Sequence, residues 1–465
     1  MNTPSQEESF RDSIATVSEE GKRKWIYPKK PYGKFYKARN ILSIILLILL
    51  FGFPFIKING HPFIILNILE RHFIIFGIPF GPHDLYLFAL TMIAFIVSIF
   101  LFTVVYGRLF CGWICPQTVF MEMVFRKIEY WIEGDANKQK QLNSSSMTGK
   151  KFIKKFSKQL IFFSISFLIA NTFLSYLVGV DKLYQYIKET PAEHVATFLA
   201  VLIFSGIFYF VFAYFREQAC TIVCPYGRLQ GVMLDQNSIV IHYDYLRGEP
   251  RGNIKKDSAL IVGDCIDCNI CIDVCPTGID IRNGTQLECV NCTACIDACN
   301  YVMEKVKRPK GLVRYASKNE IEIGKRSIFT PRAIGYTLVL MMLTFLILFL
   351  LFNRSEIELN ILRSPGMLFQ EQPGNKISNL YDVKIVNKSF NYLQVDLEVE
   401  NLKPAEIKLI GDNLKVDAQA VVETKFFVIL PKTEIKILKT PLKIAAKSNG
   451  KILDIIQTSF LGKVK

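Results

Sequence analysis

Long apolar segments, separated by polar and basic loops, dominate the first three quarters of the chain. Five of these segments are long enough to cross a bilayer, because about 20 apolar residues in a helix span its hydrocarbon core. They lie at 41–59, 84–106, 159–180, 195–215 and 333–352. A sixth apolar stretch, FIIFGIPF at 73–80, is too short to span, and its Gly and Pro predict an extended piece on the outer membrane surface. The pattern therefore predicts a polytopic α-helical membrane protein with five transmembrane helices.

The loops differ in charge, and this difference predicts the orientation of the helices. Residues 1–40 contain nine Lys or Arg and five acids, and residues 107–158 contain ten and four. Residues 60–83 contain one of each, and residues 181–194 contain two bases and three acids. Since Lys and Arg concentrate in cytoplasmic loops, the N-terminus is predicted to be cytoplasmic, and its polar start is unlike a signal peptide. Five spans then place the C-terminus on the far side of the membrane.

The pattern changes after the fifth apolar segment, where short alternating stretches replace long apolar runs. YLQVDLEVENL at 392–402 alternates apolar and polar residues. VVETKFFVIL at 421–430, TEIKILKT at 433–440 and GKILDIIQTSF at 450–460 follow, with turn residues between them. Several short strands at this spacing are typical of an all-β sandwich.

Composition agrees with membrane spans joined by basic loops. The 465 residues are 51% hydrophobic and carry a net charge of +15. This charge is spread through the loops, and no nucleic-acid-binding motif accompanies it. The lipid bilayer is therefore the expected partner, and nucleic acid is not. All 12 cysteines lie between Cys111 and Cys299. Disulfide frameworks favour small secreted chains, so these thiols are interpreted as metal ligands or redox groups.

Eight of the cysteines form two runs with the C-x2-C-x2-C-x3-C spacing of bacterial ferredoxins. In such proteins the fourth cysteine of each run binds the cluster of the other run. One 4Fe–4S cluster is therefore expected on Cys265, Cys268, Cys271 and Cys299, and a second on Cys289, Cys292, Cys295 and Cys275. Zinc is the alternative, but zinc sites use two separated pairs of cysteines rather than two tandem runs of four. Two clusters in one domain indicate transfer of single electrons.

Other chemistry has little support in the sequence. There is no dinucleotide fingerprint, no phosphate-binding P-loop and no Ser/His/Asp constellation. The chain has five histidines, which argues against a haem with two His ligands. His61, His72, His83 and His194 are predicted to lie on the outer side and His242 in the cytoplasmic part, and all five are interpreted as interface or surface residues.

The remaining four cysteines form two CxxxCP pairs, Cys111 with Cys115 and Cys220 with Cys224. Corresponding cysteines lie 109 residues apart, and each pair follows two apolar segments, which indicates a duplicated hairpin. Because Pro favours the first position of a helix, Cys115 and Cys224 are expected at helix N-termini, where the helix dipole favours a thiolate. Three interpretations of these four thiols are open. They are small buried residues without chemistry, or they form regulatory disulfides, or they bind a soft metal, for which Cu(I) is the candidate.

The residues around these pairs allow two interpretations each. Arg108, Arg216 and Arg228 either add positive charge near the thiols or snorkel at the membrane edge, and Met121, Met123 and Met233 either assist a soft metal or fill the core. The segment after Pro116 is predicted to be an amphipathic helix along the membrane surface. Its apolar residues at helical spacing are Val119, Phe120, Met123, Val124, Ile128 and Trp131.

The chain resembles the FixG/RdxA/CcoG family of cytochrome c oxidase accessory proteins. Besides the CxxxCP pairs, the matching stretches are YDYLRGEPRG at 243–252, GDCIDCNICIDVCPTGIDIRNG at 263–284 and CIDACNYVMEKVKRPKGLVRYAS at 295–317. The resemblance implies a bacterial inner-membrane protein that assists assembly of cbb3-type haem–copper oxidases. It also implies an immunoglobulin-like C-terminal domain and a role in reducing Cu(II) to Cu(I).

Together, the residues and the resemblance predict a membrane electron-transfer protein with cupric reductase activity. An unidentified cytoplasmic donor is expected to reduce the two clusters, which then pass electrons to a metal held by Cys111, Cys115, Cys220 and Cys224. The cbb3-type oxidase or its copper-delivery proteins are the expected partners. The alternatives are a quinol-linked electron-transfer subunit of a respiratory reductase and an assembly scaffold whose clusters are structural.

Five regions follow from these predictions. They are a cytoplasmic segment at 1–40, a four-helix membrane region at 41–235, a ferredoxin-like domain at 236–332, the fifth transmembrane helix at 333–352 and a periplasmic β domain at 353–465.

Overall fold

The computed structural model describes most of the chain. The described residues are 16–17, 20, 22–68, 72–190, 192–252, 262–325, 329–366, 368–411, 414–435, 437–448 and 450–462. They divide into two compact units, one drawn from 1–56 and 90–344 and the other from 57–89 and 345–465. The second unit therefore combines the predicted β domain with a loop that the sequence places in the membrane region.

Five helices among the described residues are long and apolar enough to cross a membrane. They are Lys34–Phe55, Leu85–Tyr106, Gly149–Val178, Val195–Phe215 and Pro331–Phe352. The predicted set of five is confirmed, but the third helix begins ten residues before the predicted start at 159. Its Lys-rich first turns remain helical because Lys155 and Lys158 pair with the buried carboxylate of Glu133, both at 2.9 Å.

The first unit contains a continuous helical run after the first CxxxCP pair. It comprises Pro116–Thr118, a wider π-helical segment Val119–Phe125, and Arg126–Ile132. The prediction that its apolar face lies on the membrane surface is wrong, because Phe120 and Phe125 are buried against Phe162 and Phe212 of the third and fourth long helices. Trp131, at the far end of the run, is exposed.

Shorter helices complete the helical part of this unit. They are Leu109–Trp113, Ala136–Ser144, Val180–Lys188, Ala219–Val223 and Pro225–Met233.

The cysteine runs lie in a small domain built around two antiparallel strands, Val240–Tyr243 and Val313–Ala316. Its helices are Tyr245–Gly248, Ile270–Asp273, Ile281–Asn283, Ala294–Lys305 and Lys318–Ile323. Ile241, Val302, Met303 and Leu312 form its core together with Cys265 and Cys295. Cys265 and Cys295 therefore belong to the core of this domain, whereas Cys268 is exposed.

The second unit contains the predicted β-sandwich. One sheet has the order Glu406–Ile410, Val421–Pro431, Lys376–Asn387 and Ile357–Arg363, with Gln370–Gln372 at its edge. The other has the order Asp396–Val399, Lys439–Ser448 and Lys451–Leu461, and a short pair joins Leu393–Gln394 to Lys415–Val416. Side chains from both sheets, such as Tyr381 and Phe460, share one core.

One predicted strand of the sandwich is wrong. The stretch 433–440 begins as the end of a 3-10 turn, Lys432–Glu434, and strand structure resumes only at Lys439. Ile435 is buried in the core there, so its side chain anchors a turn rather than alternating along a strand.

The loop 57–89 packs with the sandwich rather than standing alone. Its strands are Lys57–Ile58, His61–Pro62, Ile64–Asn67, His72–Ile75 and Ile78–Phe80, which agrees with the extended structure predicted for 73–80. The fully buried carboxylate of Asp84 accepts from Arg354, at 2.8 Å, and from Lys388, at 3.0 Å. These ion pairs join the loop to the end of the fifth long helix and to the sandwich.

Candidate functional site

The two cysteine runs wrap in the same way. In each run the residues on both sides of the second cysteine have positive φ: Asp267 and Asn269 around Cys268, and Asn291 and Thr293 around Cys292. Left-handed backbone is uncommon outside glycine and is tolerated best by Asn and Asp. These left-handed residues bend the backbone on both sides of the second cysteine. Successive thiols of one run can therefore line the same cavity.

The thiols line two adjacent cavities in the ferredoxin-like domain. Cys265, Cys268, Cys271 and Cys299 line the first cavity. Cys275, Cys289, Cys292 and Cys295 line the second, and Cys271 lines both cavities. Apart from this shared thiol, the second cavity has three thiols from its own run and a fourth from the other, and the first cavity has the four thiols that the spacing predicts. Binding of iron in the two cavities stays a prediction.

The donors and their surroundings fit iron–sulfur clusters. Burial, followed by neighbouring thiols, raises the pKa of Cys289 to about 12, and burial raises the pKa of Cys271 to about 12. Such thiols become thiolates only beside strong positive charge, which bound iron supplies. In the described part of the chain no three His, Cys, Asp or Glu side chains are arranged to hold a single metal ion. A four-iron cluster spreads its ligands more widely than one ion does, so the cavities fit a cluster better than zinc.

The two CxxxCP pairs have the same backbone, which supports the predicted duplication. The amide of Cys115 donates to the carbonyl of Phe110 at 2.9 Å, and the amide of Cys224 donates to the carbonyl of Ala219 at 2.8 Å. A helix begins at the following proline in both cases.

The structure brings the two pairs together. The thiol of Cys111 donates to Oε1 of Gln230, at 2.8 Å, on the helix that follows the second pair. Burial raises the pKa of Cys220 to about 12, and the nearby thiols of Cys115, Cys111 and Cys224 act on it. We call these four thiols, Cys111, Cys115, Cys220 and Cys224, the thiol site.

The predicted effect of the helix N-terminus is present but does not dominate. Backbone amides of Gln117 and Thr118 act to lower the pKa of Cys115. Burial has the larger effect, so the pKa of Cys115 is raised overall. The helix start alone therefore does not make this thiol a thiolate, and positive charge at the thiol site is needed as well.

The thiol site adjoins the second cavity. Cys111 packs against a buried cluster that includes Val290 and Cys292. Two residues further on, the indole of Trp113 donates to the hydroxyl of Tyr315 at 3.2 Å, and that hydroxyl donates to the carbonyl of Asn291 at the same distance. The first CxxxCP pair thus lies directly on the backbone of the second cysteine run.

The arginines singled out in the sequence have different environments. Arg228 is exposed, whereas Arg108 and Arg216 are buried, at 2% and 3% exposure. Arg216 pairs with the buried carboxylate of Glu129, so neither buried arginine snorkels to the membrane edge. Gln230 and Arg39, which bind the thiol site and the second run, were not indicated by the sequence. Arg39 lies just before the first apolar segment, which is a weak signal, and the sequence around Gln230 offers none.

The methionines and histidines add no ligand that the structure favours. Met121 and Met123 are buried among apolar side chains, which fits core filling, and Met233 is half-buried. His61 stacks on Phe390 in the second unit, and His194 pairs with exposed Glu189. His242 lies in a strand, and the side chains of His72 and His83 lie outside the described part of the chain.

Three family descriptions match parts of this chain. A "4Fe-4S dicluster domain" matches residues 215–318, and a "4Fe-4S binding domain" matches residues 88–138. An "IG-like fold at C-terminal of FixG" matches residues 347–463. The clusters and the immunoglobulin-like domain expected from the sequence are thus supported at the level of these domains.

Curated relatives match over most of their length. The chain is 30% identical to the nitrogen fixation protein FixG of Rhizobium meliloti, over 88% of this chain and 87% of that one. It is also 30% identical to the protein RdxA of Cereibacter sphaeroides, over 87% of this chain and 89% of that one. The crystal structure of a FixG-related protein from Vibrio parahaemolyticus matches at 15% identity and a TM-score of 0.21, covering 24% of this chain and 100% of that one.

Proposed function

The chain belongs to the FixG and RdxA family, and from this we propose that it is a membrane iron–sulfur protein that transfers single electrons and reduces Cu(II) to Cu(I) for oxidase assembly. The packing of Cys111 against the buried cluster that contains Val290 and Cys292 is the observation that carries the proposal. It puts a site with metal-binding chemistry in contact with the wall of the second cavity.

The residues that would hold the two clusters are those that line the cavities. Cys265, Cys268, Cys271 and Cys299 would hold one, and Cys289, Cys292, Cys295 and Cys275 the other. Bound there, 4Fe–4S clusters would supply one-electron redox chemistry. Backbone amides donate toward the sulfur of Cys289 and of Cys292, which stabilises negative charge there. Most of these thiols are shielded from water, whereas Cys268 is exposed.

Copper is proposed as the substrate of the thiol site. Thiolates are soft ligands and favour Cu(I) over harder ions. Among the described residues no three of these thiols are arranged around one ion, so no more than two of them would bind a copper ion in this arrangement. Each Cu(II) would take up one electron from a reduced cluster and leave as Cu(I). We further propose that the protein lies in the bacterial inner membrane, with its N-terminus and cysteine runs in the cytoplasm and its β domain in the periplasm. The proposed recipients of Cu(I) are the cbb3-type oxidase or its copper-delivery proteins.

The test uses full-length protein purified without oxygen in detergent. Two clusters correspond to about eight irons per chain, visible by electron paramagnetic resonance after reduction with dithionite. The reduced protein is then mixed with Cu(II) and a Cu(I) chelator. Replacing all four thiols of the thiol site with Ser should leave the iron content unchanged and abolish Cu(I) formation. Unchanged Cu(I) formation in this variant contradicts the proposed role of the thiol site.

Two further outcomes separate the proposal from its competitors. The "4Fe-4S binding domain" match covers Cys111 and Cys115 and no other cysteine. About twelve irons in the parent and about eight in the four-Ser variant would therefore assign a third cluster to the thiol site and exclude copper there. The variant Cys271→Ala tests the scaffold alternative, since a scaffold that needs only its fold should keep its cellular function when electron transfer is lost.

A further inference from the structure

Arg108 lies between the thiol site and the second cysteine run. It immediately precedes the short helix that carries Cys111, and its side chain is buried at 2% exposure. Nη1 donates to the carbonyl of Leu287, which lies two residues before Cys289. One guanidinium therefore contacts the loop that leads into the second run while its own backbone belongs to the first CxxxCP motif.

Gly227 leaves the space that this guanidinium occupies. A Cβ at position 227 would lie 2.8 Å from Nη2 of Arg108 and 2.5 Å from the carbonyl oxygen of Cys220. Contacts this short do not occur at real Cβ atoms, so any side chain at this position would displace the guanidinium or the backbone of the second pair. The glycine thus lets the charge of Arg108 approach Cys220.

The charge of Arg108 is uncompensated in this position. Its Nε is buried without a hydrogen-bond partner, and among the described residues no carboxylate forms an ion pair with it. Charge interactions are strong in such a poorly solvated region.

The contacts of the Arg108 guanidinium lie beside the second cysteine run. It donates to the carbonyl of Leu287, and Leu287 does not line the first cavity. The effect of Arg108 is therefore expected to be larger at the thiol site and the second cavity than at the first cavity.

We propose that Arg108 is a positioning residue that sets the reduction potentials of the thiol site and of the second cluster together. This inference rests on the proposed function. A fixed positive charge stabilises an added electron on either side of it, so both sites become easier to reduce. Because one charge shifts both potentials in the same direction, it makes both sites easier to reduce while changing the difference between them only by the difference of the two shifts.

The experiment is a redox titration of the full-length protein, followed by electron paramagnetic resonance. In Arg108→Gln the midpoint potential of the second cluster should shift to a more negative value, and the first cluster should shift less. Arg108→Lys keeps the charge and should restore most of the potential. The matched control is Arg228→Gln, because this arginine is exposed beside the second CxxxCP pair and its removal should shift neither cluster. Loss of one signal in Cys292→Ala identifies the second cluster.

An unchanged potential of the second cluster in Arg108→Gln with full iron content overturns the inference. If that variant loses iron, Gly227→Ala provides the second test, since it retains Arg108 and should shift the same potential in the same direction by displacing the guanidinium. No shift in Gly227→Ala would then overturn it. Failure of the proposed function is distinguishable, because the parent protein would lack the iron or the Cu(II) reduction described above.

Discussion

The guanidinium of Arg39 donates a hydrogen bond to the carbonyl oxygen of Cys292, with 2.8 Å between Nη1 and oxygen. The same side chain donates from Nε to the carbonyl of Gly112 at 3.1 Å. Arg39 is buried near the start of the first long helix. One side chain therefore joins this helix, the first CxxxCP motif and the second cysteine run.

Replacing Arg39 should weaken this junction. In Arg39→Met two buried carbonyls lose their donor, and each unpaired group costs about 1–3 kcal/mol. We expect lower thermal stability and faster loss of iron to a chelator. Lys37→Met is the control, since Lys37 is exposed on the same helix. Equal iron loss in both variants would show that the two hydrogen bonds do not hold the junction.

Gly112→Ala should separate the first CxxxCP motif from the second run. A Cβ there would lie 2.4 Å from the carbonyl oxygen of Val290 and 2.7 Å from that of Asn291. Overpacking of this kind costs about 1–3 kcal/mol, and here both neighbours are backbone. We expect a lower unfolding temperature and a reduced rate of Cu(II) reduction. Gly206→Ala, which meets nothing within 4 Å, should leave both measurements at the parent values.

Asp84→Asn should loosen the second unit. The substitution keeps the shape of the side chain but leaves Arg354 and Lys388 without their shared carboxylate, and breaking a buried ion pair costs about 3–5 kcal/mol. We expect faster limited proteolysis within the sandwich and unchanged iron content. Asp382→Asn removes an exposed partner of Lys425 and should have little effect. Parent-like proteolysis of Asp84→Asn would contradict the role of these ion pairs.

His242 should make stability depend on pH. Burial, with help from Lys318 and Arg314, lowers the pKa of His242 from its usual 6.5 to about 4. As the pH falls, His242 takes up a proton near pH 6.5 in the unfolded chain but only near pH 4 in the folded chain. The contribution of neutral His242 to the free energy of unfolding is therefore complete above pH 6.5 and is lost as the pH falls toward 4. Unfolding temperatures measured over this range should fall more steeply for the parent than for His242→Gln. Parallel curves would rule out this contribution.

Local features of the chain determined much of its architecture. The length of the apolar segments predicted five long helices, since helix rise and bilayer thickness together set the number of residues needed. Cysteine spacing predicted the four thiols of the first cavity and the four that line the second beside Cys271, because both runs are short and the fourth cysteine of each reaches the other. The offset of 109 residues between the CxxxCP pairs predicted the repeated backbone that Cys115 and Cys224 share.

Other features depended on contacts between distant segments. The sequence pattern around Phe120 and Phe125 suits a membrane surface as well as a protein core. Only their packing against the third and fourth long helices places them in the core. Whether Arg108 snorkels or faces thiols, and whether Cys111 reaches Gln230, are likewise decided by packing. Spacing along the chain determines which side chains share a face of one element, but helix packing determines what that face meets. The sequence alone therefore identifies the four cysteines of the thiol site, whereas the tertiary structure determines which groups surround them and hence their chemistry.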